Sequence, residues 1–259
     1  MWPYPKVLAH RGGGTLAPEN TIAALRCGLA YGYKAVEFDV MLSKDGIGVI
    51  MHDPDFGRTV AGEGNVARTP ASDLVRKDAG AWFGPQFAGE TVPLFTEFID
   101  YCRSQGIWMN IEIKPVPGHE TDTGRWVAQK TRARFSEELR AGDTKAVPLL
   151  SSFSMEALAA AREAAPEVPR ACLFDTMPAG WQAQAAALEA VAIHTNQKHL
   201  TPELAQAVKA AGYGLFCYTV NTPERAQEIL AWGVDGFCTD RIDLIGPGFA
   251  GCGGLRATR

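Results

Sequence analysis

Glu37 and Asp39 stand two residues apart in Val36-Glu37-Phe38-Asp39-Val40, and the chain returns after Lys44-Asp45-Gly46 through Val49-Ile50-Met51 to His52-Asp53. In a strand, side chains two apart share a face, so the carboxylates occupy one side and Val36, Phe38 and Val40 the other. Lys44-Asp45-Gly46 suits a reversal with φ > 0, and a return strand ending at His52 sets that imidazole roughly opposite both carboxylates. Met109-Asn110-Ile111-Glu112-Ile113-Lys114 repeats the pattern, with Glu112 and Lys114 on one face and Ile111 and Ile113 on the other. His10 and Arg11 close the apolar run Val7-Leu8-Ala9.

Charges on the inward faces of apolar strands are costly unless partnered. Glu37, Asp39 and Glu112 against Arg11 and Lys114 leave a surplus of negative charge. A buried ion-pair network without catalytic meaning is one reading; a bound hard cation that removes the surplus is the other. Three carboxylates with room for water and a phosphate oxygen suit Mg²⁺ or Ca²⁺ better than zinc. His10 and His52 beside such a site can share acid-base work, since imidazole titrates near neutrality. Arg11 and Lys114 can stabilise a transferring phosphoryl group, which makes phosphodiester cleavage the reaction class this set serves best. His119, His194 and His199 read as hydrogen-bonded surface or core residues, His194 the least clearly so.

Positioning these side chains takes a repeating scaffold. Strands expected at residues 7–11, 35–42, 107–114, 147–153, 170–174, 190–195, 214–220 and 234–239 alternate with helices at about 122–141, 154–165, 179–188, 202–211 and 222–232, after earlier helices near 21–31 and 94–105. Leaving out the return before His52, eight β-α units in 259 residues predict one (β/α)₈ TIM barrel across residues 1–259, α/β in class. Catalytic groups then belong at the C-terminal ends of the strands. Gly12-Gly13-Gly14 lacks the GxGxxG spacing of a doubly wound dinucleotide fold and marks instead a sharp turn or a close approach to a ligand. Residues 53–93, broken by glycines, predict a small folded insertion with Trp82, Phe83 and Phe87 as its apolar cluster.

His10-Arg11-Gly12, Pro18-Glu19-Asn20-Thr21, Glu37-Phe38-Asp39, His52-Asp53 and Glu112-Ile113-Lys114-Pro115 resemble, in order and spacing, the motifs of the glycerophosphodiester phosphodiesterase family. Leu150-Ser151-Ser152-Phe153, Tyr218-Thr219-Val220-Asn221 and Thr239-Asp240 continue the likeness. Trp2-Pro3-Tyr4-Pro5 and Trp232-Gly233-Val234-Asp235 bring it nearest to the bacterial cytosolic members associated with glycerol-3-phosphate uptake. The resemblance implies a barrel with an insertion after His52-Asp53, a divalent metal ion on Glu37, Asp39 and Glu112, and acid-base roles for His10 and His52. It implies hydrolysis of small-molecule glycerophosphodiesters such as glycerophosphocholine or glycerophosphoethanolamine to sn-glycerol 3-phosphate and an alcohol. The nucleophile, water or the glycerol 2-hydroxyl, stays open. Tyr218 stands where many members carry tryptophan and would form an aromatic wall for the glycerol. A lysophospholipase D-like or inositol phospholipase C-like enzyme is the alternative within catalysis. A non-catalytic glycerophosphate-binding protein is expected to have lost a histidine or a carboxylate, and none is missing.

A net charge of −4, with no basic run beyond Arg76-Lys77, gives no electrostatic reason to expect nucleic acid or an anionic membrane as partner. Six cysteines without CxxC or regular spacing read as reduced buried thiols. The N-terminus lacks secretory-signal features, and no stretch reaches the ~18 apolar residues of a membrane span. A cytoplasmic protein without membrane insertion is expected; a homo-oligomer stays open.

Overall fold

The computed structural model describes residues 2–251. Eight parallel strands, β1 (Val7–His10), β2 (Ala35–Leu42), β4 (Trp108–Ile113), β5 (Leu149–Ser152), β6 (Arg170–Phe174), β7 (Ala192–Asn196), β8 (Gly214–Tyr218) and β9 (Gly236–Thr239), pair in sequence, and β1 pairs with both β2 and β9. That closure makes a (β/α)₈ TIM barrel and rules out an open doubly wound sheet. β3 (Gly48–Ile50) is the hairpin return, antiparallel on β2. The helices are α1 (Ile22–Ala30), α2 (Ala71–Leu74), α3 (Phe95–Ser104), α4 (Glu120–Arg134), α5 (Ser136–Arg140), α6 (Met155–Ala164), α7 (Trp181–Ala187), α8 (Pro202–Ala210) and α9 (Pro223–Ala231).

Local chemistry sets these boundaries. Thr21, Ser154, Thr201 and Thr222 cap α1, α6, α8 and α9, each accepting a hydrogen bond from a first-turn backbone N–H. Outward-facing residues such as Val36, Phe38 and Val40 are buried against the helices, which leaves the opposite face of β2 for Glu37 and Asp39. At the N-terminal end, Trp2 stacks on Phe216 with centroids 5.7 Å apart and Tyr4 lies 5.0 Å from Trp108, so aromatic rings close the barrel floor.

Three details differ from the sequence reading. The return strand stops at Ile50 rather than running to His52: Ile50 N–H donates to the Pro93 carbonyl and Met51 N–H to that of Asp39, after which the backbone bends at His52 and runs into Pro54. The helix expected over 122–141 breaks at Phe135, which leaves helical geometry (φ −114°, ψ 25°) and buries its ring beneath the Arg103 guanidinium. The insertion packs around Val60, Val66, Leu74 and Val92 with Met41, Met51 and Val116, whereas Trp82, Phe83 and Phe87 lie outside that core as an edge-to-face chain. Cys102, Cys172, Cys217 and Cys238 are buried free thiols, Cys27 is half-buried, and Cys252 lies outside the described residues. No helix among the described residues is long and apolar enough to cross a membrane.

Candidate active site

The barrel register brings the predicted residues together. His10 pairs with Glu37 across β1–β2, and Asp39 pairs with Glu112 across β2–β4. All point inward at the C-terminal ends of neighbouring strands. Carboxylate oxygens of Glu37, Asp39 and Glu112 lie within 4.8 Å of one another. Lys114, just past β4, sets its Nζ 3.5 Å from Asp39 and 3.6 Å from Glu112. Arg11 sits on a left-handed backbone (φ 52°), from which its N–H donates to Glu37 at 3.2 Å and its Nε lies 3.6 Å from Asp39. Tyr218 ends β8; its hydroxyl donates to the Phe174 carbonyl at 3.1 Å, and its ring meets Phe153 edge-on at 5.8 Å.

These groups border one cavity of about 280 Å³ that includes His10, Arg11, Glu37, His52, Glu112 and Lys114. Deeper in it, Asn110 Oδ1, Ser151 Oγ and His194 Nε2 are buried without a hydrogen-bond partner. His194 therefore departs from the expectation of a hydrogen-bonded core histidine; burial alone pushes its pKa down to about 3. His119 is exposed at the start of α4, and exposed His199 contacts Asp175 and Thr176.

The carboxylates do not share one electrostatic fate. Despite burial, Lys114, Arg11 and an Asn20 amide at 2.9 Å hold Asp39 well below the usual carboxylate range. Burial, with the charge of Asp39 added, pushes Glu37 up to about 7 and Glu112 up to about 8. Glu112 Oε1 is buried and lacks a hydrogen bond. An oxygen-only donor set, a buried carboxylate oxygen without a hydrogen bond and fewer cations than carboxylates fit a hard divalent ion, which Glu37, Asp39 and Glu112 would hold.

Each of the paired histidines is anchored through Nδ1 to its own carboxylate, His10 to Asp240 and His52 to Asp53, both at 2.6 Å. Their surroundings differ. Asp240 otherwise accepts from the neutral Asn221 amide at 2.9 Å, whereas Asp53 is also held by the Arg58 guanidinium at 2.6 Å. Burial disfavours a proton on His10, but the Asp240 hydrogen bond and the charge of Glu37 outweigh it and raise the pKa. Burial likewise disfavours a proton on His52, and with Arg11 and Lys114 it prevails over Asp39 and Asp53, so that pKa is lowered.

Several partners went unassigned at the level of sequence. Asp240 belongs to a motif quoted only for likeness. Asn20, quoted only within a motif, is a residue type suited to capping the helix that follows, yet it is buried with φ 59° and bonded to Asp39, while Thr21 makes the cap. Glu19 bridges Arg11 and Arg58 at 2.7 Å, and Arg58 comes from the weakly patterned insertion with no signal of its own. Gly14 approaches protein rather than ligand: a Cβ there would lie 2.1 Å from the Asp240 carbonyl.

The model of the glycerophosphoryl diester phosphodiesterase family matches residues 10–244. The chain is 33% identical over 244 residues to a glycerophosphodiester phosphodiesterase of Caldanaerobacter subterraneus subsp. tengcongensis, covering 92% of this chain and 95% of that protein. Among solved structures, an Oleispira antarctica phosphodiesterase in complex with the product sn-glycerol-3-phosphate is 35% identical, with a TM-score of 0.81 over 91% of this chain and 93% of that one. A glycerophosphodiester phosphodiesterase from Agrobacterium tumefaciens is 28% identical, with a TM-score of 0.75 over 95% and 99%.

The raised carboxyls carry a sign. An acid whose folded-state pKa exceeds its unfolded value of about 4.3 loses stabilisation as pH rises through the folded value. In chelator the melting temperature should therefore fall between about pH 5 and about pH 8 as Glu37 and Glu112 are forced to ionise. Added Mg²⁺ or Ca²⁺ should raise it again, most at the alkaline end, and Glu112→Gln should weaken both effects in a calorimetric scan.

Proposed function

The chain belongs to the glycerophosphoryl diester phosphodiesterase family and is a phosphodiesterase, and we propose that it hydrolyses soluble glycerophosphodiesters, such as glycerophosphocholine and glycerophosphoethanolamine, to sn-glycerol 3-phosphate and the free alcohol. The observation that carries this reading is the meeting of His10 and His52 on one cavity with the carboxylate cluster between Arg11 and Lys114. Glu37, Asp39 and Glu112 would hold Mg²⁺ or Ca²⁺, which when bound supplies positive charge for a phosphate oxygen. Arg11 and Lys114 orient the phosphodiester and oppose the charge that builds on it in the transition state. Asn110, Ser151 and His194 offer their unpartnered atoms to glycerol hydroxyls, with Phe153 and Tyr218 as the apolar wall.

The two histidines divide the proton work according to their counter-charges. His52 lies beside Arg58-neutralised Asp53, Arg11 and Lys114; it is neutral near pH 7 and takes the proton of the nucleophile through Nε2. His10, backed by Asp240 without a permanent cation, keeps its proton and gives it to the leaving alcohol oxygen. The glycerol 2-hydroxyl, activated by His52, would give a cyclic phosphate that water then opens with the roles reversed.

His10→Ala and His52→Ala should each lower kcat by ~10²-fold or more, and a 2-deoxyglycerol diester should be nearly inert; full turnover of it would exclude the cyclic route. The rate profile should be bell-shaped, its acid limb set by His52 below the ordinary histidine range and its alkaline limb by His10 above it. Asp240→Asn should draw the alkaline limb down toward neutrality and leave the acid limb in place.

A further inference from the structure

We propose that a second hollow at the barrel mouth, on the far side of His10, receives the alcohol half of the diester and favours alcohols that carry an ammonium cation, quaternary ones above all. The inference rests on the phosphodiesterase reading above and adds a substrate preference to it.

The hollow measures about 480 Å³ and is bordered by His10, Arg11, Glu19, Asp240, Trp82 and Phe83. His10 and Arg11 also border the catalytic cavity, whereas His52, Glu112 and Lys114 border only the latter. A phosphate held at the shared wall thus has one ester arm reaching toward Asn110, Ser151 and Tyr218 and the other toward Trp82. His10 stands where the second arm departs, so the proton from its Nε2 goes to the alcohol oxygen as the P–O bond breaks.

The far wall is chemically specific. Trp82 is 42% exposed and takes no part in the insertion's core, so packing does not account for it. Its indole N–H donates to the Ala79 carbonyl at 2.8 Å, and its ring meets Phe83 edge-to-face at 5.5 Å. The turn that carries it is pinned by Asp78, whose carboxylate accepts from the backbone N–H groups of Gly80, Ala81 and Gly89 at 2.7–2.8 Å. A large aromatic face is therefore held rigidly beside the reacting centre, as a cation–π site requires.

Charge selects the sign of the guest. In this wall Glu19 is paired directly with Arg11 and Arg58, while the Asp240 carboxylate has only His10 and the Asn221 amide as direct side-chain partners, with Arg11 acting on it from farther off. Asp240 thus presents to the hollow a carboxylate that no arginine or lysine pairs directly. An ammonium group gains charge attraction from Asp240 and a cation–π contact from the Trp82 face; a neutral polyol can hydrogen-bond Asp240 but gains neither of these.

The test compares kcat/KM for glycerophosphocholine with that for glycerophosphoglycerol in the full chain, in Trp82→Leu and in Trp82→Phe. The choline-to-glycerol ratio should fall about fivefold or more in Trp82→Leu and be largely kept in Trp82→Phe, which retains an aromatic face. An unchanged ratio in Trp82→Leu would overturn the proposal. Calorimetric titration with choline alone reads the hollow without turnover. Choline binding that Trp82→Leu weakens supports the subsite even if neither diester were hydrolysed, an outcome that would remove only the reaction; choline binding that is absent or indifferent to Trp82→Leu overturns it.

Discussion

Three buried carboxylates repel one another at the wall of the catalytic cavity, and the barrel mouth is arranged around that repulsion. Asp39 is answered in full by Asn20, Arg11 and Lys114. Glu37 receives a backbone N–H from Arg11, which is held in left-handed geometry to deliver it. Glu112 keeps an oxygen without a hydrogen bond, the nearest cation, Lys114 Nζ, standing 3.6 Å away. The pairing of β1 with β2 and of β2 with β4 fixes these groups against one another through the sheet register. A slip of one residue in β2 would send Glu37 and Asp39 into the helix layer and Phe38 into the lumen, so the apolar packing of Val36, Phe38 and Val40 holds the charges where they are.

Around this centre the two histidines stand in matched geometry with unlike counter-charges. Both bind a carboxylate through Nδ1 at 2.6 Å, yet one carboxylate is shared with an arginine and the other with a neutral amide. The difference in proton affinity is built outside the reacting volume, by Arg58 from the insertion and Asn221 after β8. Asp240 reaches His10 only because β9 closes onto β1, across 230 residues of chain. Barrel closure is thus a condition of the proposed proton chemistry as well as of the sheet.

The fold was legible because a strict strand-helix alternation leaves few topologies, and the inward residues because charges two apart in apolar strands have one face to occupy. Glu37, Asp39, Glu112 and Lys114 fall into that class, whereas His10 and Arg11 were legible as polar residues closing the first apolar strand. Asn20 escaped because its type and position fit helix capping equally well, and only the left-handed backbone separates the two uses. Arg58 escaped because a glycine-broken segment has no periodicity to orient its side chains. Trp82, Phe83 and Phe87 do meet as a small aromatic cluster, but the insertion's main core is the aliphatic set Val60, Val66, Leu74 and Val92, which no periodicity singled out. The helix break at Phe135 is set by burial of its ring beneath Arg103, a tertiary contact that local pattern does not contain.

The central claim, that the carboxylate cluster works by holding a divalent cation, is tested most directly by following release of sn-glycerol 3-phosphate from glycerophosphocholine with metal-stripped protein. The account predicts no product in chelator, recovery on adding Mg²⁺ or Ca²⁺ back, and no such recovery in Glu112→Gln at the same cation concentration. Undiminished turnover in chelator would contradict it and leave Glu37, Asp39 and Glu112 as an ion-pair network alone.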